Sequence, residues 1–107
     1  MEVGIDIEEL QRIKSAYERF GRKFLDRFLS KKEIEYCLSK KRIIECLGGR
    51  FCAKEAVIKI YDGRIGFKDI EIISDGKPVV LVKSKKSNIK LSISHTKNYA
   101  TAVAILP

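Results

Sequence analysis

Residues 41–61, KRIIECLGGRFCAKEAVIKIY, constrain this chain more than any other stretch. Wound as a regular helix, they place Leu47, Phe51, Ala53, Ala56, Val57, Ile58 and Ile60 around most of the circumference. A helix that is apolar nearly all round belongs inside a fold. Gly48-Gly49 is its weak point. One narrow window remains, holding Gly48, Cys52, Glu55 and Lys59. Two of those four are small, so the carboxylate and the ammonium are expected to face open space. An ordinary Glu–Lys pair at i, i+4 adds only about 0.2–0.5 kcal/mol to a helix. Beside so much apolar surface the pair asks for more, because buried charges are normally paired or bound to something.

The flanking segments supply what packs around that helix. EVGIDI (2–7) alternates Val3, Ile5 and Ile7 against Glu2, Gly4 and Asp6 and predicts a first strand. An amphipathic helix follows, with Leu10, Ile13 and Tyr17 on one face, and Gly21 breaks it. Phe24, Leu25 and Phe28 mark a further turn or two. SKKE (30–33) is a capping-box pattern that opens a helix through about Ser39. From about residue 67 the period changes to strands: DIEII (69–73) and VVLV (79–82) around SDGKP, then IKLSISH (89–95) and YATAVAI (99–105). The last is small or apolar on both faces, as in a buried central strand. Strand, helices, then strands predict an α+β fold built mostly on antiparallel sheet. At 107 residues the chain is expected to be one domain, 1–107, and so small a core favours oligomerisation.

The balance of 22 Lys+Arg against 14 Asp+Glu gives a net charge of +8. Arg12, Lys14, Arg19, Arg22, Lys23, Arg27, Lys31 and Lys32 cluster in residues 11–32. Such a surface attracts an anion: nucleic acid, a phosphorylated cofactor or an acidic protein. Three cysteines without a CxxC pair argue against zinc or a disulfide framework, so Cys37, Cys46 and Cys52 are expected as small, reduced, buried residues. No apolar run is long enough for a membrane span and MEVGIDIEEL lacks a signal-peptide pattern, so a cytoplasmic location is expected.

Two further segments hold candidate chemistry. Asp6 sits in the apolar strand GIDI, where an ionised aspartate needs a partner. It is either a helix N-cap or first-turn residue, as the following EELQRI would suit, or, with Glu55, one of two oxygen ligands for Mg²⁺. His95, the only histidine, ends an alternating strand among Ser94, Thr96 and Lys97, donors suited to a phosphate. Glycine-rich phosphate loops are absent, so side chains and metal must hold any phosphate.

Three motifs in order resemble the holo-acyl-carrier-protein synthases, which are 4′-phosphopantetheinyl transferases: GIDIEEL (4–10), GGRFCAKEAVIK (48–59) and SISHTKNYATAVAI (92–105), with FKDIEI and DGKP between them. The likeness covers essentially the whole chain. Cys52 stands where the family usually has alanine, and Glu8 where a hydrophobic residue is common. The resemblance implies transfer of the phosphopantetheine arm of coenzyme A to a serine of apo acyl carrier protein, leaving adenosine 3′,5′-bisphosphate. It implies Asp6 and Glu55 as Mg²⁺ ligands and Lys59 on the pyrophosphate, with Glu55 or a metal-bound water as the base. Arg50, Ser94, His95 and Thr96 are implied contacts of the nucleotide and its 3′-phosphate, with Lys77 and Pro78 near the adenine. A regular helix points Arg50 well away from Glu55. Arg12, Lys14, Lys23 and Arg27 are implied to dock the acidic carrier protein, and a homotrimer with active sites between subunits is implied too.

A different class, a small basic nucleic-acid-binding domain, draws on charge alone, including KSKKSNIK (83–90). The 4 Tyr and 5 Phe do not interleave with the basic clusters as a stacking platform requires, so no nucleic acid partner is expected.

Overall fold

A computed structural model describes the backbone of residues 1–107 and every side chain except that of Asp75. The elements run β1 (Glu2–Glu9), α1 (Leu10–Phe20), α2 (Arg22–Phe28), α3 (Lys31–Leu38), α4 (Ile43–Ile60), a 3₁₀ turn (Phe67–Asp69), β2 (Ile70–Asp75), β3 (Lys77–Val82), β4 (Lys85–Lys86), β5 (Lys90–His95) and β6 (Tyr99–Leu106). Two antiparallel three-stranded sheets form, in the orders β1-β6-β5 and β2-β3-β4. The expected α+β architecture is the observed one, and β6 is the central strand its composition predicted.

Helix α4 lies across the first sheet, and small residues set how closely. Ala100, Ala102 and Ala104 of β6 are fully or almost fully buried against it. At Gly4 of β1 a Cβ would collide with the carbonyl oxygen of Ala56, and at Gly48 with the Cδ2 of Leu10. The helix runs unbroken through Gly48-Gly49 because tertiary packing outweighs their low propensity. Those glycines therefore close space rather than open it. Cys52 is also fully buried, its Sγ 3.2 Å from the Ala100 carbonyl oxygen. The expectation that Gly48 and Cys52 leave an open window is corrected: they let helix and sheet approach.

A second apolar cluster fills the angle between α1, α2, α3 and the other flank of α4, with Leu25, Phe28, Leu29, Ile34 and Leu47 at its centre. The α3 capping box is present in both directions, Glu33 N donating to Ser30 Oγ at 3.2 Å and Ser30 N to Glu33 Oε1 at 2.9 Å. Glu33 does more than cap. Its Oε1 also accepts from Lys54 Nζ at 2.7 Å, and its Oε2 from Ile72 N at 3.0 Å. Lys54 itself is fully buried and also donates to the carbonyls of Phe28 and Phe67.

One of the two readings of Asp6 and one expectation for the cysteines fail. Asp6 is not a helix N-cap or first-turn residue, because β1 continues to Glu9 and α1 starts at Leu10. Cys37 and Cys46 are not separate reduced residues: they form a disulfide between the last turn of α3 and the first of α4, at a Cα–Cα distance of 5.4 Å. Nine positions separate them, and it is the reversal between the two helices that brings them together. Cys52 alone is buried and free as expected. No helix is long and apolar enough to cross a membrane.

Candidate active site

The register of the first sheet places chemistry in rows beneath α4. Antiparallel partners share a face, so Asp6, Ala102 and Ile93 make one row and Glu8, Ala100 and His95 the next. At the β1 end, Gly4 admits the helix backbone, which brings Glu55 and Lys59 over Asp6. Lys59 turns to the strand rather than to Glu55, its Nζ donating to the Ile5 carbonyl at 2.7 Å and lying 3.4 Å from Asp6 Oδ1. The intrahelical Glu–Lys pair is thus replaced by one between α4 and β1. The other oxygen of Asp6, Oδ2, is buried and has no hydrogen-bond partner.

Carboxylates crowd this point. Burial pushes the Glu55 carboxyl pKa up, the charge of Asp6 pushes it further, and Lys59 opposes both. Glu8 is raised as well, by burial and then by the charge of Asp6, with Arg12 pulling the other way. Burial and the same two acids push the Cys52 thiol up to about 12, so it stays an unreactive packing residue. Negative charge held together with a buried, unpartnered carboxylate oxygen is what a hard cation neutralises. Among the described residues no set of three His, Cys, Asp or Glu side chains forms a ready cage. Asp6 and Glu55 nonetheless fit Mg²⁺, which takes one or two carboxylates and fills its remaining positions with water and substrate phosphate.

Toward the β5 end lies a cleft of about 460 Å³, reached by Tyr36, Lys40, Arg42, Cys46, Arg50 and His95. Arg50 is 5% exposed, and its Nη2 donates to Ser74 Oγ at 2.7 Å. Burial draws its pKa down, opposed by the charge of Glu33 and by Tyr36. The Tyr36 ring is flanked by two cations, Lys40 Nζ at 4.4 Å and the Arg50 guanidinium carbon at 4.8 Å from its centroid. Burial alone would raise the phenol pKa, but Lys40, then Ser74 and Arg50, bring it below its usual value. Five residues separate Arg50 from Glu55, a rise of roughly 7.5 Å along the helix with side chains on different faces. The two ends of α4 thus offer a metal-suited carboxylate pair and a separate cationic cleft.

The remaining candidates divide between these places. Ser94 and His95 are exposed at the end of β5, and only His95 lines the cleft. Thr96 turns its Oγ1 inward on the chain, accepting from Asn98 N at 3.3 Å and Tyr99 N at 3.1 Å. Lys77 and Pro78 line a different hollow, between β3 and β5, that shares Ile93 with the cleft. Pro78 faces Ser74, the residue that accepts from Arg50, directly in register. Arg12 and Lys14 on α1 and Lys23 and Arg27 on α2 are all exposed. Arg27 stands at a hollow lined by Phe24, Phe28, Phe51 and Phe67. Sequence reasoning missed Tyr36, Lys40 and Ser74. Each makes sense only once α3, its following loop and β2 meet at Arg50.

A family model described as the 4′-phosphopantetheinyl transferase superfamily matches residues 2–104. The holo-[acyl-carrier-protein] synthase of Chloroherpeton thalassium is 46% identical, covering 99% of this chain and 97% of its own length. That of Aquifex aeolicus is 38% identical over 97% of this chain and 96% of its own. Among solved structures, the Helicobacter pylori holo-[acyl-carrier-protein] synthase in complex with coenzyme A superposes with a TM-score of 0.83 at 31% identity, over 97% of this chain and 98% of that one. The Bacillus anthracis enzyme, in complex with CoA (3′,5′-ADP), gives 0.81 at 38% identity over 95% and 91%. Sequence motifs and fold agree with these matches, and the chain belongs to the holo-acyl-carrier-protein synthase family of 4′-phosphopantetheinyl transferases.

Proposed function

We propose that this chain, as one domain in the cytoplasm, transfers the 4′-phosphopantetheine arm of coenzyme A to a serine hydroxyl of apo acyl carrier protein in a Mg²⁺-dependent reaction, releasing adenosine 3′,5′-bisphosphate. The observation that supports it most is Asp6 Oδ2, buried without a partner beside Glu55 and Lys59. Asp6 and Glu55 would hold the ion, whose charge offsets the negative charge that builds up on the phosphoryl oxygens. Lys59, half exposed, reorients from Asp6 toward the pyrophosphate and stabilises the departing phosphate. Glu55 would serve as the protein base for the serine proton. Arg50 and His95 take the 3′-phosphate and nucleotide in the cleft, with Ser94 and Thr96 at its edge and Lys77-Pro78 toward the adenine.

Arg12, Lys14, Lys23 and Arg27 present an exposed basic face on which an acidic carrier protein docks. Val3, Ile5 and Ile7, 60%, 64% and 63% exposed on the outer face of β1, support assembly into a homotrimer with sites between subunits. Incubation with coenzyme A, Mg²⁺ and an apo carrier protein should add one phosphopantetheine mass to the carrier. No gain with several carriers, alongside salt-sensitive DNA or RNA binding, would reject this reading.

A further inference from the structure

The Cys37–Cys46 disulfide has no part in the chemistry above, and its position is informative. Cys46 lines the same cleft as Arg50 and His95, whereas Cys37 is fully buried. Between them runs an exposed loop that delivers Lys40, Lys41 and Arg42 to the cleft mouth. Few other bonds hold that loop. Ser39 N and Lys40 N return to the carbonyls of Glu35 and Cys37, Ser39 Oγ donates to that of Tyr36 at 2.7 Å, and Cys46 N donates to that of Arg42. Lys40 sits on the Tyr36 ring, and Arg42 meets Glu45 at 3.7 Å with its side chain 76% exposed. Such contacts are individually weak in water. The sulfur bridge is the one covalent tie between the loop's two ends.

We propose that Cys37 and Cys46 are a thiol–disulfide switch on this cleft: the bridged form holds Lys40, Lys41 and Arg42 in place for an anionic nucleotide, and the reduced form releases them. The inference rests on the reading of the cleft as the nucleotide site of coenzyme A. Opening proceeds by exchange with a small thiol. A thiolate attacks the Cys46 sulfur from the cleft side, a mixed disulfide forms there and Cys37 leaves as a thiolate that takes a proton. A second thiol attacks the mixed disulfide and frees Cys46. Two protein thiols and one external disulfide result, and a small-molecule disulfide closes the bridge by the reverse steps. Bridging removes loop freedom that binding would otherwise have to remove, which favours the bound state. In a reducing compartment, bridges that form at all are commonly sensors rather than staples.

The test compares the whole protein after dithiothreitol with the protein after oxidised glutathione. Alkylation under denaturing conditions followed by mass measurement should count three thiols in the first and one, Cys52, in the second. Calorimetric titration with adenosine 3′,5′-bisphosphate should then show binding about threefold to tenfold tighter in the bridged form. Cys37→Ser and Cys46→Ser should both bind like the reduced protein under either treatment. Three thiols after oxidation, equal affinities, or tighter binding by the reduced protein would overturn the switch while leaving the cleft assignment standing. No binding by either form of the folded protein would instead overturn the cleft assignment and the switch with it.

Discussion

Lys54 and Glu33 meet at 2.7 Å with side chains 0% and 1% exposed, the most deeply buried ion pair among the described residues. All three ammonium protons are used, on Glu33 and on the carbonyls of Phe28 and Phe67, while Glu33 also serves Ser30 and Ile72. Burial lowers the Lys54 pKa and the Glu33 charge opposes it. Removing either partner leaves a lone charge inside the protein, so Lys54→Ala and Glu33→Ala should each cost about 3–5 kcal/mol in urea unfolding. The double variant Glu33→Ala with Lys54→Ala should lose less than the two single costs added together. Strict additivity would mean the pair is not coupled.

The contact of Gly4 with the Ala56 carbonyl makes a second prediction. A Cβ at Gly4 meets backbone, which cannot swing aside, whereas one at Gly48 meets the flexible end of Leu10. Gly4→Ala should cost about 1–3 kcal/mol and reduce turnover strongly, because β1 must withdraw from α4 and take Asp6 away from Glu55. Gly48→Ala should be milder in both respects. Melting curves and carrier modification rates on the two variants decide it, and equal effects would reject the argument.

Glu55 links pH to stability. Its pKa is raised in the folded protein, first by burial and then by Asp6. The native state therefore holds that proton more tightly than the unfolded chain, whose value is near 4.5. The stabilisation is fully present below that value and is lost as pH rises through the folded pKa. At pH 7 without metal, ionised Glu55 works against the fold. Glu55→Gln should raise the melting temperature in EDTA at pH 7, change it little near pH 4, and abolish the rise that Mg²⁺ gives the unsubstituted protein. Turnover should fall to background. A variant that melts lower in EDTA yet keeps the Mg²⁺ effect would remove Glu55 from the metal site.

Legibility in the sequence depends on how far each feature reaches along the chain. Alternation in 89–95 and the capping box at Ser30 are local, and both are plain in the sequence because neighbouring residues alone determine them. β4 is invisible there: its hairpin turns on Lys83 and Ser84, φ 51° and 69°, where glycine or asparagine would have announced the turn. Gly48 and Cys52 mislead because smallness signals either a gap or a close approach, and only the position of β6 distinguishes them. Lys54 looks like a surface lysine within an apolar helix, since its counter-ion lies in another helix and its other acceptors are backbone carbonyls. The Arg50–Tyr36–Ser74 contacts depend on three separate elements meeting, which no spacing encodes. Asp6 and Glu55, by contrast, stand out because each is a charge in an apolar setting.

The basic face on α1 makes a kinetic prediction. Arg12 is exposed and close enough to Glu8 to lower its pKa, which puts it beside the carboxylate site. Arg12→Glu should raise the KM for carrier protein severalfold, with the KM for coenzyme A nearly unchanged. The difference should shrink in high salt, where exposed charges are screened over a few ångströms. Equal effects on both substrates would reject a docking role.

The outer face of β1 gives the last prediction. Val3, Ile5 and Ile7 stand opposite Ile105, Val103 and Thr101 in register, so a strip of largely apolar side chains faces outward across two strands. Strand β1 is also an edge of its sheet. A single chain has nothing to cover that strip, while the opposite face of the same strand is occupied by α4. A charge at its centre would stay solvated in a monomer and be buried in an assembly, where it needs a partner. Ile5→Lys should therefore leave the circular dichroism spectrum of the fold intact and shift sedimentation from trimer to monomer. Turnover should fall with it if the proposed site between subunits is completed by a neighbouring chain. A variant that stays trimeric would show that the trimer contact lies elsewhere, and an unsubstituted protein that sediments as a fully active monomer would reject the assembly.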